Sequence, residues 1–259
     1  MLAGPENAVE FDGYSVDLCR AFARSRGGPV EEVAVPTAAD GFAMLASGEI
    51  DLLCGATTAT LAARVAFGAS LYTFVTGVGV LRREPLPPAP APLRVGYLKR
   101  STSADLVEAE RAQLRNLMAR LTDARAELAR AAPPLAVGLD RQDEVIRRLG
   151  AGGDLDLYVA DIAILQALHS HAGDARRSLV IEPGLVLSLE PYALFMRRDD
   201  PRRLDLDRFL QRHFADPAFF GQLAHWFGTD VEPLFLDLVR LQRAIPAGGE
   251  TIPKTAASP

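Results

Sequence analysis

A sequence pattern that occurs twice in this chain limits the folds that the chain can adopt. Residues 42–55, FAMLASGEIDLLCG, and residues 145–160, VIRRLGAGGDLDLYVA, each run from a helical pattern through glycine and an acidic residue into an apolar strand. Alternation of helix and strand is typical of a parallel sheet with helical crossovers. The repetition therefore predicts two α/β lobes of similar construction.

The first half of the chain has the β-α-β-α-β order of elements that is typical of a parallel sheet. Val16, Cys19 and Phe22 recur at helical spacing, which predicts a first helix over residues 13–25. A second helix is expected over residues 39–48. Strands are expected at 30–35, 50–55 and 71–83, the last of them a long β-branched run that leaves the unit.

A proline-rich segment, EPLPPAPAP at residues 84–92, separates the first half from the second and predicts a surface connection. Beyond it the alternation restarts, and the chain then ends in helices alone. The strands predicted there cover residues 93–98, 135–139, 154–160, 178–184 and 187–200. The predicted helices cover residues 101–132 (one long helix or a broken pair), 141–153, 161–172, 202–214, 217–228 and 232–245.

Composition excludes several classes of protein. The chain has 259 residues, of which 49% are hydrophobic, so it can bury a sizeable core. Its formal net charge of −5 comes from interspersed signs without a basic stripe, and we expect no nucleic-acid partner. No run approaches the roughly 20 apolar residues that span a bilayer, so no membrane insertion is expected. The N-terminus, MLAGPENAVE, lacks the basic and apolar regions of a signal peptide.

Common catalytic fingerprints do not occur in the sequence. We find no Gly-x-Ser-x-Gly motif, no phosphate-binding P-loop and no Gly-x-Gly-x-x-Gly dinucleotide motif. The histidines have no cysteine or carboxylate cluster at metal-ligand spacing, and we interpret them as solvated helix residues: His169, His171, His213 and His225. The sequence therefore predicts no metal, no cofactor and no enzymatic activity.

A threonine cluster in the first half is the best candidate for a binding site. Thr57, Thr58 and Thr60 follow an apolar strand, and Arg64 comes four residues after the last threonine. Hydroxyl and backbone N–H groups at such a junction can hold a carboxylate, and Arg64 could add a bidentate pair. The alternative is that Thr60 caps a helix and Arg64 is a solvated surface residue.

The second half has a similar junction. Ser101, Thr102 and Ser103 follow a predicted strand, and Asp161 follows another. Hydrogen-bond donors in both halves together with one acidic acceptor suit a zwitterion, whose ammonium group Asp161 would hold. The alternative is that Ser103 and Asp161 are helix caps.

The chain has two cysteines, Cys19 and Cys54. One interpretation is two buried thiols that act as small hydrophobic residues. The other is a disulfide between the first helix and the strand that ends at Gly55, which would stabilise an exported chain by roughly 3 to 4 kcal/mol. The sequence leaves both interpretations open.

Five phrases resemble the family 3 extracellular solute-binding proteins, the periplasmic receptors of polar amino-acid transporters: GYSVDLC, LASGEIDLLCGATTAT, YVADIAIL, EPYALFMRRDD and HWFG. The similarity runs in order from about Asp12 to Pro246. The resemblance implies an α/β fold of the type II periplasmic-binding-protein-like class, with two lobes joined by two crossing hinge strands. The crossings are expected at residues 74–83 and 189–197. The implied limits are residues 1–82 with 190–246 for lobe 1, residues 83–189 for lobe 2 and residues 247–259 for a disordered tail.

The resemblance also implies a function. It predicts a monomeric periplasmic protein that closes its lobes on a small polar or acidic amino acid and delivers it to an ABC permease. Asp161 matches the ammonium-binding aspartate of the family. Two other readings stay open: a degenerate paralogue that binds no amino acid and serves as a sensory or protein-interaction module, and a dehydratase-like enzyme on the same fold.

The sequence departs from the family pattern at the carboxylate site. The carboxylate-binding arginine of the family would fall on Ala63, and Arg64 comes one place later. One residue on a helix is a rotation of about 100°. Arg64 is therefore expected to point away from the family position unless the turn is not helical or the side chain swings back. The usual Asp-Phe-Ser of the family is Gly68, Ala69 and Ser70 here.

Two further departures concern whole segments. Family members begin with a strand and an aromatic-bearing loop that precede the matched region, so the sheet of lobe 1 is expected to have one strand fewer. A late start codon, a decayed paralogue or a receptor fold kept for another role would each account for this. The charged segment at about residues 104–131 is longer than the usual helix and is expected to be a solvated insertion or a partner-docking surface.

Overall fold

The structure is a computed structural model that describes residues 11–28, 30–35, 37–88, 91–107, 119, 133–227 and 233–245. The chain divides into two compact units. Unit 1 comprises Met1–Ala34, Met44–Phe74 and Tyr192–Pro259, and unit 2 comprises Val35–Ala43 and Val75–Pro191. No helix within the described ranges is long and apolar enough to cross a membrane.

The described residues form helices and strands in an order close to the predicted one. The helices are α1 (Tyr14–Ser25), α2 (Ala38–Ser47), α3 (Leu61–Ala66), α4 (Thr102–Val107), α5 (Val145–Leu149), α6 (Ile162–Ser170), α7 (Arg203–Ala215), α8 (Ala218–Phe227) and α9 (Pro233–Ala244). The strands are β1 (Gly68–Arg83), β2 (Arg94–Leu98), β3 (Leu135–Leu139), β4 (Leu157–Asp161), β5 (Leu179–Ile181) and β6 (Leu189–Met196). Short 3₁₀ helices cover Gln142–Glu144 and Gly173–Ser178.

Unit 2 is organised around a mixed sheet with the strand order β3-β2-β4-β1-β5, and β6 also pairs with β1. The strand β2 runs parallel to β3 and β4, with Tyr97 opposite Val159. The strand β1 runs antiparallel to β4, with Val78 opposite Asp161. Because β2 and β4 are parallel neighbours, their carboxyl ends lie at the same edge of the sheet.

Both faces of this sheet are covered by apolar side chains. Leu157 and Val159 of β4 join a buried cluster on one face, to which α4 also contributes. Tyr158 of β4 joins the cluster on the other face, with side chains from α5 and α6. Burial on both faces explains why the β4 sequence is almost continuously apolar and was predictable as a strand.

The core of unit 1 consists of an aromatic cluster and of buried side chains from its helices. Phe74 stacks on Phe227 with ring centroids 4.6 Å apart, and Phe235 lies 5.0 Å from Phe74. The Tyr14 hydroxyl donates a 3.0 Å hydrogen bond to the carbonyl of Thr73. Buried leucines and phenylalanines at helical spacing in α7 and α8 complete this core: Leu206, Leu210, Phe214, Phe219 and Leu223.

The parallel sheet predicted for the first half is wrong for the described residues. Residues 30–35 form no strand, and Val30 and Val33 are 45% and 43% exposed. Residues 50–55 make a single antiparallel bridge, between Leu53 and Phe195. A strand requires continuous hydrogen bonding to a neighbour, and among the described residues 50–55 have only this one bridge while 30–35 form no strand pairing.

The strands predicted in the second half are confirmed, with shorter bounds at 179–181 and 189–196 and with the strand predicted at 154–160 observed at 157–161. The long helix predicted over residues 101–132 is seen as α4, and most of the remainder lies outside the described residues, as does the predicted tail at 247–259. The 141–153 helix begins as a 3₁₀ turn before α5.

The two cysteines meet in unit 1. Cys19 lies in α1, and its sulfur is bonded to that of Cys54 at 2.17 Å, with the Cα atoms 6.2 Å apart. The bridge closes a loop with a sequence separation of 35 residues. Closing a loop of that length restricts the unfolded chain and contributes roughly 3 to 4 kcal/mol to stability.

Candidate functional site

The candidate site in unit 2 is centred on Asp161, the last residue of β4 and the residue that precedes α6. Its side chain is only 7% exposed and makes no capping hydrogen bond to α6, although Asp161 occupies the cap position. Burial raises the pKa of the Asp161 carboxyl to about 7, and the negative charge of Glu190 adds to the rise. A carboxyl group in this state would be stabilised by a cation that approaches it.

Glu190, in β6, is a buried acidic residue that the sequence interpretation missed. It is 6% exposed. One carboxylate oxygen, Oε1, accepts a 2.9 Å hydrogen bond from the hydroxyl of Ser188, and the other, Oε2, has no hydrogen-bond partner among the described residues. The available signal was a charged residue at the start of an otherwise apolar strand, EPYALFM.

Backbone pairing brings the segments that carry these two acids to either side of β1. Val78 of β1 is opposite Asp161 on one side. On the other side, the Val78 amide donates to the carbonyl of Ser188 at 2.9 Å, and the Leu187 amide donates to the Val78 carbonyl at 2.7 Å. The Thr76 hydroxyl accepts a 3.3 Å hydrogen bond from the amide of Ala163 at the start of α6. These contacts join β1 to the segment before β6 and to the start of α6.

The serine and threonine cluster of unit 2 lies between β2 and α4. The Ser101 hydroxyl donates a 2.7 Å hydrogen bond to the carbonyl of Leu98, and Arg100 adopts a positive φ of 59° in the turn before it. Ser103 is 3% exposed and lies inside α4, which begins at Thr102, so the alternative that Ser103 caps this helix is wrong. Because the cluster follows β2 and Asp161 ends β4, the parallel neighbour of β2, both lie at the same edge of the sheet.

The threonine cluster of unit 1 is held by the backbone of β6. The Thr57 carbonyl accepts a hydrogen bond from the amide of Ala193 at 3.2 Å, and Thr58 forms a bridge with Tyr192. The Thr57 side chain is 7% exposed. The Thr60 hydroxyl caps α3 by accepting a 3.1 Å hydrogen bond from the amide of Ala63, which confirms the alternative given for this residue.

Arg64 is exposed on α3 in unit 1. Its guanidinium carbon lies 5.2 Å from the centre of the Tyr72 ring, a cation–π contact. The helix covers Leu61–Ala66, so the backbone at Ala63 and Arg64 is helical and the two side chains point in directions about 100° apart.

The structure thus groups the predicted residues by unit. Unit 1 contains Thr57, Thr58, Thr60 and Arg64, and unit 2 contains Ser101–103 and Asp161.

Two of the histidines make local hydrogen bonds to carbonyls, His169 to Leu179 and His171 to Ala167. Within the described part of the chain no group of three or more histidine, cysteine or acidic side chains is arranged to hold a metal ion.

A family profile described as bacterial extracellular solute-binding proteins, family 3, matches residues 4–229. A search of curated proteins found no significant match.

Several solved structures share the fold. The GluR0 ligand-binding core from Nostoc punctiforme in complex with L-glutamate is 18% identical, with a TM-score of 0.65 over 83% of this chain and 91% of that one. A putative ABC-transporter binding component from Wolinella succinogenes, complexed with lysine, is 17% identical, with a TM-score of 0.65 over 87% and 89%. The ancestral amino acid-binding protein AncCDT-1, a precursor of cyclohexadienyl dehydratase, is 18% identical, with a TM-score of 0.62 over 83% and 84%. The predicted α/β fold of the type II periplasmic-binding-protein-like class is thereby confirmed.

Proposed function

Because the chain belongs to the bacterial extracellular solute-binding proteins, family 3, we propose that it is a receptor for a small polar or acidic amino acid, which it delivers to an ABC permease. The observation that carries the proposal is the buried Asp161 carboxyl at the carboxyl end of β4. A protonated amino group is the complement of such a group, because it supplies both charge and hydrogen-bond donors.

The carboxylate end of the ligand is assigned to hydroxyl, amide and guanidinium donors. In unit 1 these are Thr57, Thr58, Thr60 and Arg64, and in unit 2 they are Ser101, Thr102 and Ser103. The Thr60 hydroxyl already accepts the hydrogen bond that caps α3, and it keeps its proton for donation. The Ser101 hydroxyl donates its hydrogen bond to the carbonyl of Leu98, so its oxygen is left as an acceptor. Ser101 is therefore the weakest of the proposed carboxylate-binding residues.

The receptor is proposed to act in the periplasm as a monomer, as family membership suggests. Lobes with the limits predicted from the sequence would close around the ligand by bending at the two crossing strands. A ligand that contacts both lobes favours the closed state in proportion to the extra contacts made there.

The test is a thermal-shift screen of the purified protein against the common L-amino acids at millimolar concentration, with the D-enantiomer of each hit as the control. A ligand at about 100 times its dissociation constant stabilises the folded state by roughly 2.7 kcal/mol. We expect a shift of several degrees for one chemical group of L-amino acids. A protein that melts cooperatively and shifts with none of them would contradict the proposal and favour the non-binding paralogue.

A second candidate is a dehydratase-like enzyme, and the neutral-range pKa of Asp161 is the observation that favours it. A carboxyl group whose pKa is about 7 can donate and accept a proton at physiological pH. The test is incubation with cyclohexadienyl acids, followed by the ultraviolet absorbance of the aromatic ring that loss of water creates. Turnover that Asp161→Asn abolishes would establish the enzyme, and a flat absorbance trace would exclude it for these substrates.

A further inference from the structure

Glu190 differs in its ion pairing from two other buried acids of unit 2, Asp156 and Glu182. Asp156 is paired with two arginines, at 2.6 Å to Arg83 and 3.0 Å to Arg94. Glu182 is paired with the buried guanidinium of Arg82. These pairs satisfy the charge that burial removes from water, as is general for buried ionised groups.

No cation of the described residues is paired with Glu190. Its Oε1 is hydrogen-bonded to the hydroxyl of Ser188, and its Oε2 is buried without a hydrogen-bond partner. A buried carboxylate oxygen without a donor is costly, and a donor group of a bound ligand would remove that cost. The role of Glu190 is therefore not explained by the packing of unit 2.

The strands that carry Glu190 and Asp161 lie on the two sides of β1. Both residues flank β1, whose Val78 is hydrogen-bonded to Ser188 on one side and is opposite Asp161 on the other. The negative charge of Glu190 contributes, after burial, to the raised pKa of the Asp161 carboxyl. Two acids so placed repel each other when both are ionised, and a positive group removes the repulsion.

We propose that Glu190 is a second ligand-binding carboxylate and that Glu190 and Asp161 together hold a protonated nitrogen of the ligand. The proposal rests on the proposed function in taking Asp161 as the ammonium-binding residue. It adds a residue that family resemblance did not supply, and among polar amino acids it disfavours the acidic ones that the proposed function allows. With two carboxylates at this position, a ligand with an acidic side chain would add a third negative charge, so neutral and basic amino acids are expected to bind more tightly than acidic ones.

The experiment compares the wild type with Glu190→Gln and with the matched control Glu182→Gln, the same substitution at another buried glutamate of unit 2. Binding of L-glutamine, L-lysine and L-glutamate is measured by titration calorimetry. Thermal shifts with 1,4-diaminobutane test the acidic pair alone, because this amine has no carboxylate and does not require the other half of an amino-acid site.

We expect Glu190→Gln to weaken the binding of glutamine or lysine at least tenfold and to raise the melting temperature of the free protein, because it removes an unpaired buried charge. Glu182→Gln should lower the melting temperature and leave the affinity within twofold. Ligand affinity that Glu190→Gln leaves unchanged, or a wild type that prefers glutamate, would overturn the proposal and leave the proposed function intact.

If no amino acid binds, 1,4-diaminobutane tests the Glu190–Asp161 pair separately from the proposed amino-acid receptor. Stabilisation of the wild type by 1,4-diaminobutane that is lost in Glu190→Gln would then support the acidic pair while the amino-acid receptor is rejected. Absence of any shift with the amine and with the amino acids would overturn both.

Discussion

Two carboxyl groups determine the chemistry of unit 2 at the scale of single residues. Burial raises the pKa of the Asp161 carboxyl, and the negative charge of Glu190 adds to the rise. In the same unit Asp156 is buried next to two arginines, whose hydrogen bonds and charge lower its pKa despite the burial. Burial alone therefore does not decide whether the pKa of a buried acid is raised or lowered here, because the charge of the neighbouring groups decides the direction of the shift.

The first prediction concerns the pH dependence of stability. The pKa of Asp161 is about 7 in the folded chain, against an ordinary value of 3.8 when it is unfolded. Between these values the folded state keeps a proton that the unfolded state releases, so stability falls as pH rises from about 4 to 7 and then levels off. The fall attributable to this group is roughly 4 kcal/mol, at about 1.4 kcal/mol per pKa unit.

Asp161→Asn cannot ionise and should remove this fall. We expect urea unfolding between pH 4 and pH 8 to show the variant gaining stability relative to the wild type as pH rises. Curves for the two proteins that stay parallel over this range would show that Asp161 does not titrate near neutrality.

The second prediction concerns Arg64. Its side chain is exposed and lies over the Tyr72 ring, a contact worth about 0.5 to 1 kcal/mol at such a site. If it binds the ligand carboxylate as proposed, Arg64→Ala should weaken affinity at least tenfold while the melting temperature of the free protein changes little. Arg24→Ala, which removes another exposed arginine of unit 1, is the control. Equal affinities in all three proteins would remove Arg64 from the site.

At the scale of elements, the packing of α6 on β1 positions Asp161. Gly79 has no side chain, and a Cβ atom built there would lie 2.8 Å from Cγ1 of Ile162. A Cβ atom at Gly77 would lie 2.6 Å from Cγ1 of Val186. Both distances are too short for carbon atoms, so the two glycines let α6 and the segment before β6 approach β1 closely. Asp161, adjacent to Ile162, depends on this close approach.

The third prediction tests that packing. Gly79→Ala should destabilise the protein by roughly 1 to 3 kcal/mol, because the added methyl group overlaps Ile162. Gly28→Ala is the control, since no atom lies within 4 Å of the Cβ position there. In chemical denaturation, the double variant Gly79→Ala, Ile162→Ala should lose less stability than the sum of the single variants. Additive losses would show that the two positions do not compete for space.

At the scale of the whole molecule, the chain passes between its units four times: on either side of Val35–Ala43 and then within two strands. It leaves unit 1 in β1, between Phe74 and Val75, and returns in β6, between Pro191 and Tyr192. The proposed ligand donors are divided between the units, and the proposed acids belong to unit 2 alone. The proposed function therefore assigns ligand-binding residues to both units of the chain.

The fourth prediction follows from that division. Hydrogen exchange with and without the amino acid found in the thermal-shift screen should show added protection at residues 57–64 of unit 1 and at residues 101–103 and 161–163 of unit 2. An amino acid that gave no thermal shift is the control ligand. Protection confined to one unit would contradict a site shared by both, whatever the affinity.

The sequence by itself determined the alternation of helices and strands in the second half of the chain, the helices at its end and the candidacy of Asp161. Those features are local, since apolar periodicity and glycine positions report directly on helix, strand and turn. Tertiary structure decided the rest. Residues 30–35 have the composition of a strand yet form none among the described residues, because strand formation depends on a neighbour that periodicity does not reveal. Glu190 was missed for the same reason: its importance depends on an acid distant in sequence and on the lack of a paired cation among the described residues, and tertiary structure decides both.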